Sequence, residues 1–149
     1  MNKYHEIIER MAAIQYQISL NDKKPKNFGT DGLLYQSEIH FIDAIGKDKP
    51  VMALELARKL NITKGAVTQV SKKLLEKGYI KKLRKDGNKK EIYFELTEKG
   101  IVAYDNHLEF HGDINNKIIE YLKKLNKDQL EAIIGLVELN EKCIPRIEE

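Results

Sequence analysis

Apolar residues recur along this chain with two different periods, and the change of period marks its organisation. Over residues 3–20, Ile7, Ile8, Met11, Ile14 and Ile18 fall at helical offsets, which predicts an amphipathic first helix. Residues 21–30, NDKKPKNFGT, are polar and hold Pro25 and Gly29, the composition of a loop. Asp31 is placed to cap a second helix over 32–45, with Leu34, Ile39, Ile42 and Ile45 as buried candidates and Gly46 as its stop. Residues 53–60 carry Leu54, Leu56, Ala57 and Leu60 at helical offsets, a helix too short to bury itself alone. Asn61-Ile62-Thr63 then forms a tight turn, Thr63 caps a further helix, and Gly78 ends it. Two short helices joined in this way make a helix-turn-helix.

After Gly78 the period becomes alternating. Residues 79–83 and 91–96 read as two strands, the second placing Ile92, Phe94 and Leu96 on one face, with Asp86-Gly87 as the hairpin turn between them. Beyond lies a long helix opened by Thr97 and carrying Ile101, Tyr104, Leu108, Phe110, Ile114, Ile118, Tyr121 and Leu122. Asn126 and Gln129 form a capping box with Asn in place of Ser or Thr, and start a last helix rich in Leu, Ile and Val. The terminal helices show apolar positions on more than one face, so they require more than one packing partner. Since they flank an already complete winged unit, they are expected to pair with the same helices of a second subunit. The expected class is mainly α with a small β-hairpin wing (α+β). It is one domain over 1–149, with a winged helix-turn-helix lobe at 31–97 and dimerisation helices at 1–30 and 101–149.

The helix after Thr63 sorts its residues by face. Val67, Val70 and Leu74 form one narrow stripe, while Gly65, Thr68, Gln69 and Lys72 lie opposite. The free face is short-chained at its start, hydrogen-bonding in the middle and cationic beyond, which suits a DNA major groove. Charge supports this. From Arg58 to Lys90 there are twelve Lys or Arg and two acids, a local charge of +10 in a chain of net +3, so everything else carries −7. Such segregation is an electrostatic footprint for phosphate and makes double-stranded DNA the expected partner.

Composition bounds the rest. With 149 residues, 42% hydrophobic and 33% charged, the chain suits one soluble domain. It shows no signal segment and no apolar run of membrane-spanning length, and its one cysteine, Cys143, fits a reducing compartment. A cytoplasmic protein is expected. Enzyme readings find no support: in His107-Leu108-Glu109-Phe110-His111 the general-base Glu of a metalloprotease motif is not in place, and no phosphate-cradling glycine loop or nucleophile elbow occurs.

The order of elements, the LARKLNITKGAVTQVSKKLLEKGYI core, the basic hairpin and the Leu96-Thr97-Glu98-Lys99-Gly100 closure resemble the MarR family of bacterial and archaeal transcription regulators. The resemblance covers nearly the whole chain. It implies a homodimer whose two lobes sit on consecutive major grooves of a pseudo-palindromic operator. It further implies DNA contacts from Thr63, Lys64, Thr68, Gln69 and Lys72 on the helix and from Arg84, Lys89 and Lys90 on the wing. The family's wing often carries an Arg two residues after its Asp, whereas here Asn88 follows Asp86.

One constellation offers sensor chemistry. His107 and His111 lie four apart on the long helix, the spacing of a bidentate metal site. Together with His40 on the second helix, their placement is similar to that in the zinc-responsive branch of the family. That branch implies one zinc, or another divalent transition metal, per subunit as cofactor, with Asp22 in the place of its fourth ligand. Asp31 and Asp43 are rivals for that role, the latter because it shares a helix face with His40. The branch's second site uses a thiolate where this chain has Phe28, so at most one site is expected. Glu38 and Glu109, about 200° round a helix from His40 and His107, are not expected to share the metal. The alternative effector is a small organic or phenolic molecule in the cleft between the same helices, lined by Tyr16, Tyr35 and Tyr104, with the histidines structural.

Overall fold

Helices flank a small antiparallel sheet in a computed structural model of the chain that describes residues 2–85 and 87–144; of Lys85, Asn88 and Lys89 it describes the backbone alone. The elements run α1 (Lys3–Asp22), β1 (Lys26–Asn27), β2 (Leu33–Leu34), α2 (Gln36–Ile45), β3 (Val51–Met52), α3 (Ala53–Leu60), α4 (Lys64–Glu76), β4 (Ile80–Lys85), β5 (Asn88–Leu96), α5 (Glu98–Leu122) and α6 (Lys127–Cys143).

The helix-turn-helix forms where the apolar spacing places it. Asn61 takes up a left-handed conformation (φ 51°) between α3 and α4, and the Thr63 side chain accepts a hydrogen bond from the Ala66 N–H at 3.1 Å. Gly78, at φ 78°, lets the chain leave α4 through a backbone conformation that L side chains rarely adopt. The hairpin follows, with Ile80 opposite Leu96 and Lys82 opposite Phe94. The sequence reading lacked β3. Val51 pairs with Phe94 and Met52 with Tyr93, so the strand order is β3-β5-β4 and β5 is central. Two residues are too few to show a period, so only their register against β5 makes them a strand.

The segment before α2 also differs from expectation. Residues 21–30 are not loop alone, because Lys26 and Asn27 pair with Leu34 and Leu33. That pairing holds 33–34 extended with Leu34 buried, so the helix begins at Gln36 rather than 32, and Asp31 does not cap it. The N-cap is Tyr35, whose N–H donates to Glu38 at 2.8 Å, while Asp31 pairs with Lys99 at 2.7 Å. Lys99 holds the Asp31 carboxyl below its ordinary pKa, and Asp31 raises that of Lys99.

One core joins the lobe. Ile39, Phe41 and Ile42 of α2, Leu56 of α3, Leu74 of α4, Tyr79, Phe94 of β5 and Ala103 of α5 are all but sealed from solvent. Gly100 allows α5 to approach closely, since a Cβ there would collide with the Tyr79 carbonyl oxygen. Thr97 caps α5, and its hydroxyl also donates to the Gly78 carbonyl at 2.7 Å, tying the end of the reading helix to the start of α5.

The remaining helices reach beyond this core. Neither α1 nor α6 buries a residue, and the later part of α5 exposes Phe110, Ile114 and Ile118. Ile7, Ile8, Ile14, Ile18, Ile134, Val137 and Leu139 are likewise open to solvent within the single chain. No described helix is long and apolar enough to cross a membrane.

Candidate nucleic-acid interface and metal centre

Burial along α4 divides as its sequence predicts. Val67, Ser71 and Leu74 are buried against the lobe, and Thr63, Lys64, Gly65, Thr68, Gln69 and Lys72 face solvent. The Thr68 hydroxyl donates to the Lys64 carbonyl at 3.1 Å, which leaves its oxygen free to accept. On the wing, Arg84 and Lys90 are exposed; Asp86 and the side chain of Lys89 lie outside the described residues. Lys64 and Thr68 of α4 and Lys90 of the hairpin line one open cleft, so cationic and hydrogen-bonding side chains of the two elements meet at the surface.

The second assembly lies where α2 meets α5. His40, His107 and His111 each present a ring nitrogen, and the three nitrogens lie within 4.8 Å of one another. The rings stand edge to face, with centroids 5.7 Å apart for His40 and His107 and 4.3 Å for His107 and His111. Helical offset brings His107 and His111 onto one face of α5, and the core packing of α2 supplies His40. Phe28 covers the group from the β1–β2 connection, its ring 5.8 Å from that of His107. Asn106 anchors that connection by donating to the Phe28 carbonyl at 3.2 Å.

His107 is 4% exposed, and neither of its ring nitrogens has a hydrogen-bond partner. A buried polar group left unsatisfied costs about 1–3 kcal/mol. Three imidazole nitrogens within 4.8 Å of one another, one on a buried and unpartnered ring, are a donor set that could hold a transition-metal ion. Burial pushes the His107 pKa below its ordinary value; His111 and then His40 add to this, and Asp43 opposes it. The folded chain thus binds fewer protons than the unfolded one. Protonation of His107 contributes no further cost above the ordinary histidine pKa near 6.5, and stability is lost as pH falls through that value toward the lower folded one. With a chelator present, the melting temperature is expected to fall between pH 7.5 and 5.5, and to fall less in His107→Leu. Equal slopes in the two proteins would contradict this.

The carboxylates separate by position. Asp22 lies at the end of α1 on a cleft of about 520 Å³ that His107 and His111 also line. Asp43 lies beside the cluster with Oδ1 3.9 Å from His107 Nδ1. Asp31, a rival as ligand, is taken up by Lys99. Phe28, Phe110 and Ile114 make much of the cleft apolar, and Tyr16, Tyr35 and Tyr104, expected to line it, do not. His5, Glu109 and Cys143 are exposed and apart from the cluster.

Glu38 is the functional surprise of α2. It is 1% exposed and holds Lys77, the C-cap residue of the reading helix, through oxygens 2.7 and 2.8 Å from Nζ. Lys77 also donates to the Leu33 carbonyl at 3.2 Å. The signal was present in the periodicity: Glu38, Phe41, Ile42 and Ile45 follow one stripe of α2, which puts an acid at a core position and requires a cation opposite.

The sheet, the paired helices and the open reading face define a winged helix-turn-helix protein. A model of the MarR family matches residues 34–92. An uncharacterized HTH-type transcriptional regulator of Methanocaldococcus jannaschii is 36% identical over 101 residues, covering 67% of this chain and 76% of that protein. The chain belongs to the MarR family. The HTH-type transcriptional regulator PchR of Bacillus subtilis is 33% identical over 102 residues, which cover 68% of this chain but 60% of PchR. The match therefore spans less than two thirds of that relative's length. These relatives are named as HTH-type transcriptional regulators. In fold, the chain is similar to ZitR of Lactococcus lactis, a zinc-responsive MarR family member, with a TM-score of 0.75 at 20% identity over 95% of this chain and 98% of ZitR. The structure of ZitR in complex with DNA gives 0.77 at 22% identity, covering 95% of this chain and 97% of that one.

Proposed function

We propose that this chain is a homodimeric, sequence-specific DNA-binding repressor whose affinity for its operator is set by zinc at His40, His107 and His111. The convergence of three imidazoles around a buried, unpartnered His107 carries the metal part of the reading. Relatives named as transcriptional regulators, and the zinc response and DNA complex of ZitR, support it. Residues 31–97 form the DNA-binding lobe, in which Thr63, Lys64, Thr68, Gln69 and Lys72 enter the major groove while Arg84, Lys89 and Lys90 contact the backbone or minor groove from the wing. The uncovered apolar faces of 1–30 and 101–149 form the dimer interface. A cytoplasmic location follows from this role.

His40 belongs to the lobe, and His107 and His111 to the long helix that leaves it. Three donors on two elements hold both in one relative orientation when they share an ion, and Asp22, which lines the same cleft but lies outside the 4.8 Å grouping, is the carboxylate proposed to complete the set. An ion there would accept these lone pairs as a Lewis acid, and a carboxylate beside them would offset part of its double positive charge. The orientation of α2 against α5 sets the separation of the two reading helices in a dimer, and only one separation matches successive major grooves. Metal and DNA binding are then linked, each shifting the other's affinity by the same factor.

The test is a mobility shift with duplex DNA from beside the protein's own gene, titrating zinc against a chelator. Zinc is expected to tighten binding tenfold or more, about 1.4 kcal/mol of coupling, and binding should weaken steeply with salt. Absence of salt-sensitive DNA binding would sink the regulator reading. Tight DNA binding indifferent to zinc, nickel and iron would favour the second reading. In that case the apolar cleft of about 520 Å³ beside the cluster takes a small organic effector, and the histidines are structural.

A further inference from the structure

We infer that Asp43 and Gln36 are positioning residues that fix which nitrogen of His107 and of His40 faces the metal, so that one face of α2 carries a ligand and the orienting groups for two. This rests on the metal reading above. Gln36, His40 and Asp43 stand at offsets of four and three along α2, hence on one helix face. The Gln36 amide lies 2.7 Å from His40 Nε2. The atom facing His40 Nε2 is the Gln36 amide nitrogen; turning that amide over puts its carbonyl oxygen there to accept from Nε2–H, and the Nδ1 lone pair of His40 is then free to ligate.

Asp43 bears on His107 from the same face. Its Oδ1 is 3.9 Å from His107 Nδ1, too far for a hydrogen bond and near enough for a small rotation of this partly exposed side chain to make one. Once His107 Nε2 donates its lone pair, the proton must reside on Nδ1, and that N–H then needs an acceptor in a buried setting. Asp43 is the carboxylate paired with this nitrogen among the described residues. A carboxylate behind a ligating imidazole fixes its tautomer and raises its basicity, and loss of such a partner typically lowers metal affinity 10–100-fold. Asp43 therefore orients a ligand rather than serving as the fourth one, and Asp22 keeps that place in the proposed set.

The experiment is zinc competition against a chromophoric chelator at neutral pH, together with the visible spectrum of the cobalt-loaded full chain. Asp43→Ala and Gln36→Ala are each expected to weaken zinc 10–100-fold while keeping the tetrahedral cobalt bands. Asp43→Asn should recover part of the loss, because its carbonyl still accepts from Nδ1–H. His107→Leu should abolish the bands. Wild-type zinc affinity in both alanine variants, with loss in His107→Leu, would overturn the positioning role and leave the site standing. Loss of the cobalt bands in Asp43→Ala would make Asp43 a ligand and overturn it in another way. A wild-type chain that binds neither ion overturns the metal reading and this inference with it.

Discussion

His107→Leu is expected to abolish the zinc dependence of DNA binding and, at the same time, to make the metal-free protein more stable. The two effects have one cause. In the metal-free fold, His107 is buried against Phe28 with both nitrogens unpartnered, a state that costs about 1–3 kcal/mol. Leucine of similar bulk removes that cost, so the urea midpoint measured with chelator should rise by an amount of that order. It also removes the buried donor from the set, so zinc affinity should fall by more than the roughly 100-fold upper figure for losing an outer partner. The tenfold response of DNA binding should vanish, leaving affinity at the metal-free level. Gain of stability with loss of response is the mark of a residue kept for binding rather than packing. A variant that loses stability while keeping its zinc response would show that the imidazole is satisfied in solution and that the cluster is structural.

Lys77→Met is expected to destabilise the lobe strongly. Glu38 is all but inaccessible to solvent, and Lys77, about one third exposed, is its ion-pair partner. Truncating one member of a buried pair strands the other, at about 3–5 kcal/mol. The partial exposure of Lys77 places the effect toward the lower end of that range, because water can reach the vacated side. For a chain of this size each kcal/mol lowers the melting temperature by about 2–4 °C. Glu38→Met combined with Lys77→Met should recover most of the loss, since an apolar pair needs no compensation. Protein concentration must be held fixed throughout, as dimerisation contributes to apparent stability. A loss below about 1 kcal/mol in the single variant would mean that Glu38 finds another partner. The pair matters beyond stability because it joins α2, which carries His40, to the end of the reading helix. A Lys77→Met protein that folds should therefore show a weaker link between zinc and DNA than its zinc affinity predicts.

Much of the molecule was legible in one dimension because it is local. Thr63, Thr97 and Asn126 cap helices within three residues of themselves, and Val67 and Leu74 face inward because a helix repeats every 3.6 residues. The hairpin was legible from the alternating runs on either side of the Asp86-Gly87 pair in the sequence. The reading face and its charge follow from the same short-range periodicity. The His107–His111 pair is local as well, one turn of a single helix.

What only the tertiary structure decided depends on partners distant in sequence. Strand β3 exists because β5 lies beside it, and α2 starts late because residues 33–34 pair with 26–27. Asp31 resembles a cap in sequence, yet its carboxylate finds Lys99, 68 positions on. Periodicity puts Glu38 on the inward stripe of α2, yet only the fold supplies Lys77 as its partner. His107 alone of the three histidines is buried without a partner, a property no spacing encodes, since it arises from the packing of Phe28 and α2 against α5. Periodicity sets which face of an element turns inward; which chemistry it meets there depends on how elements far apart in the chain come to share one core.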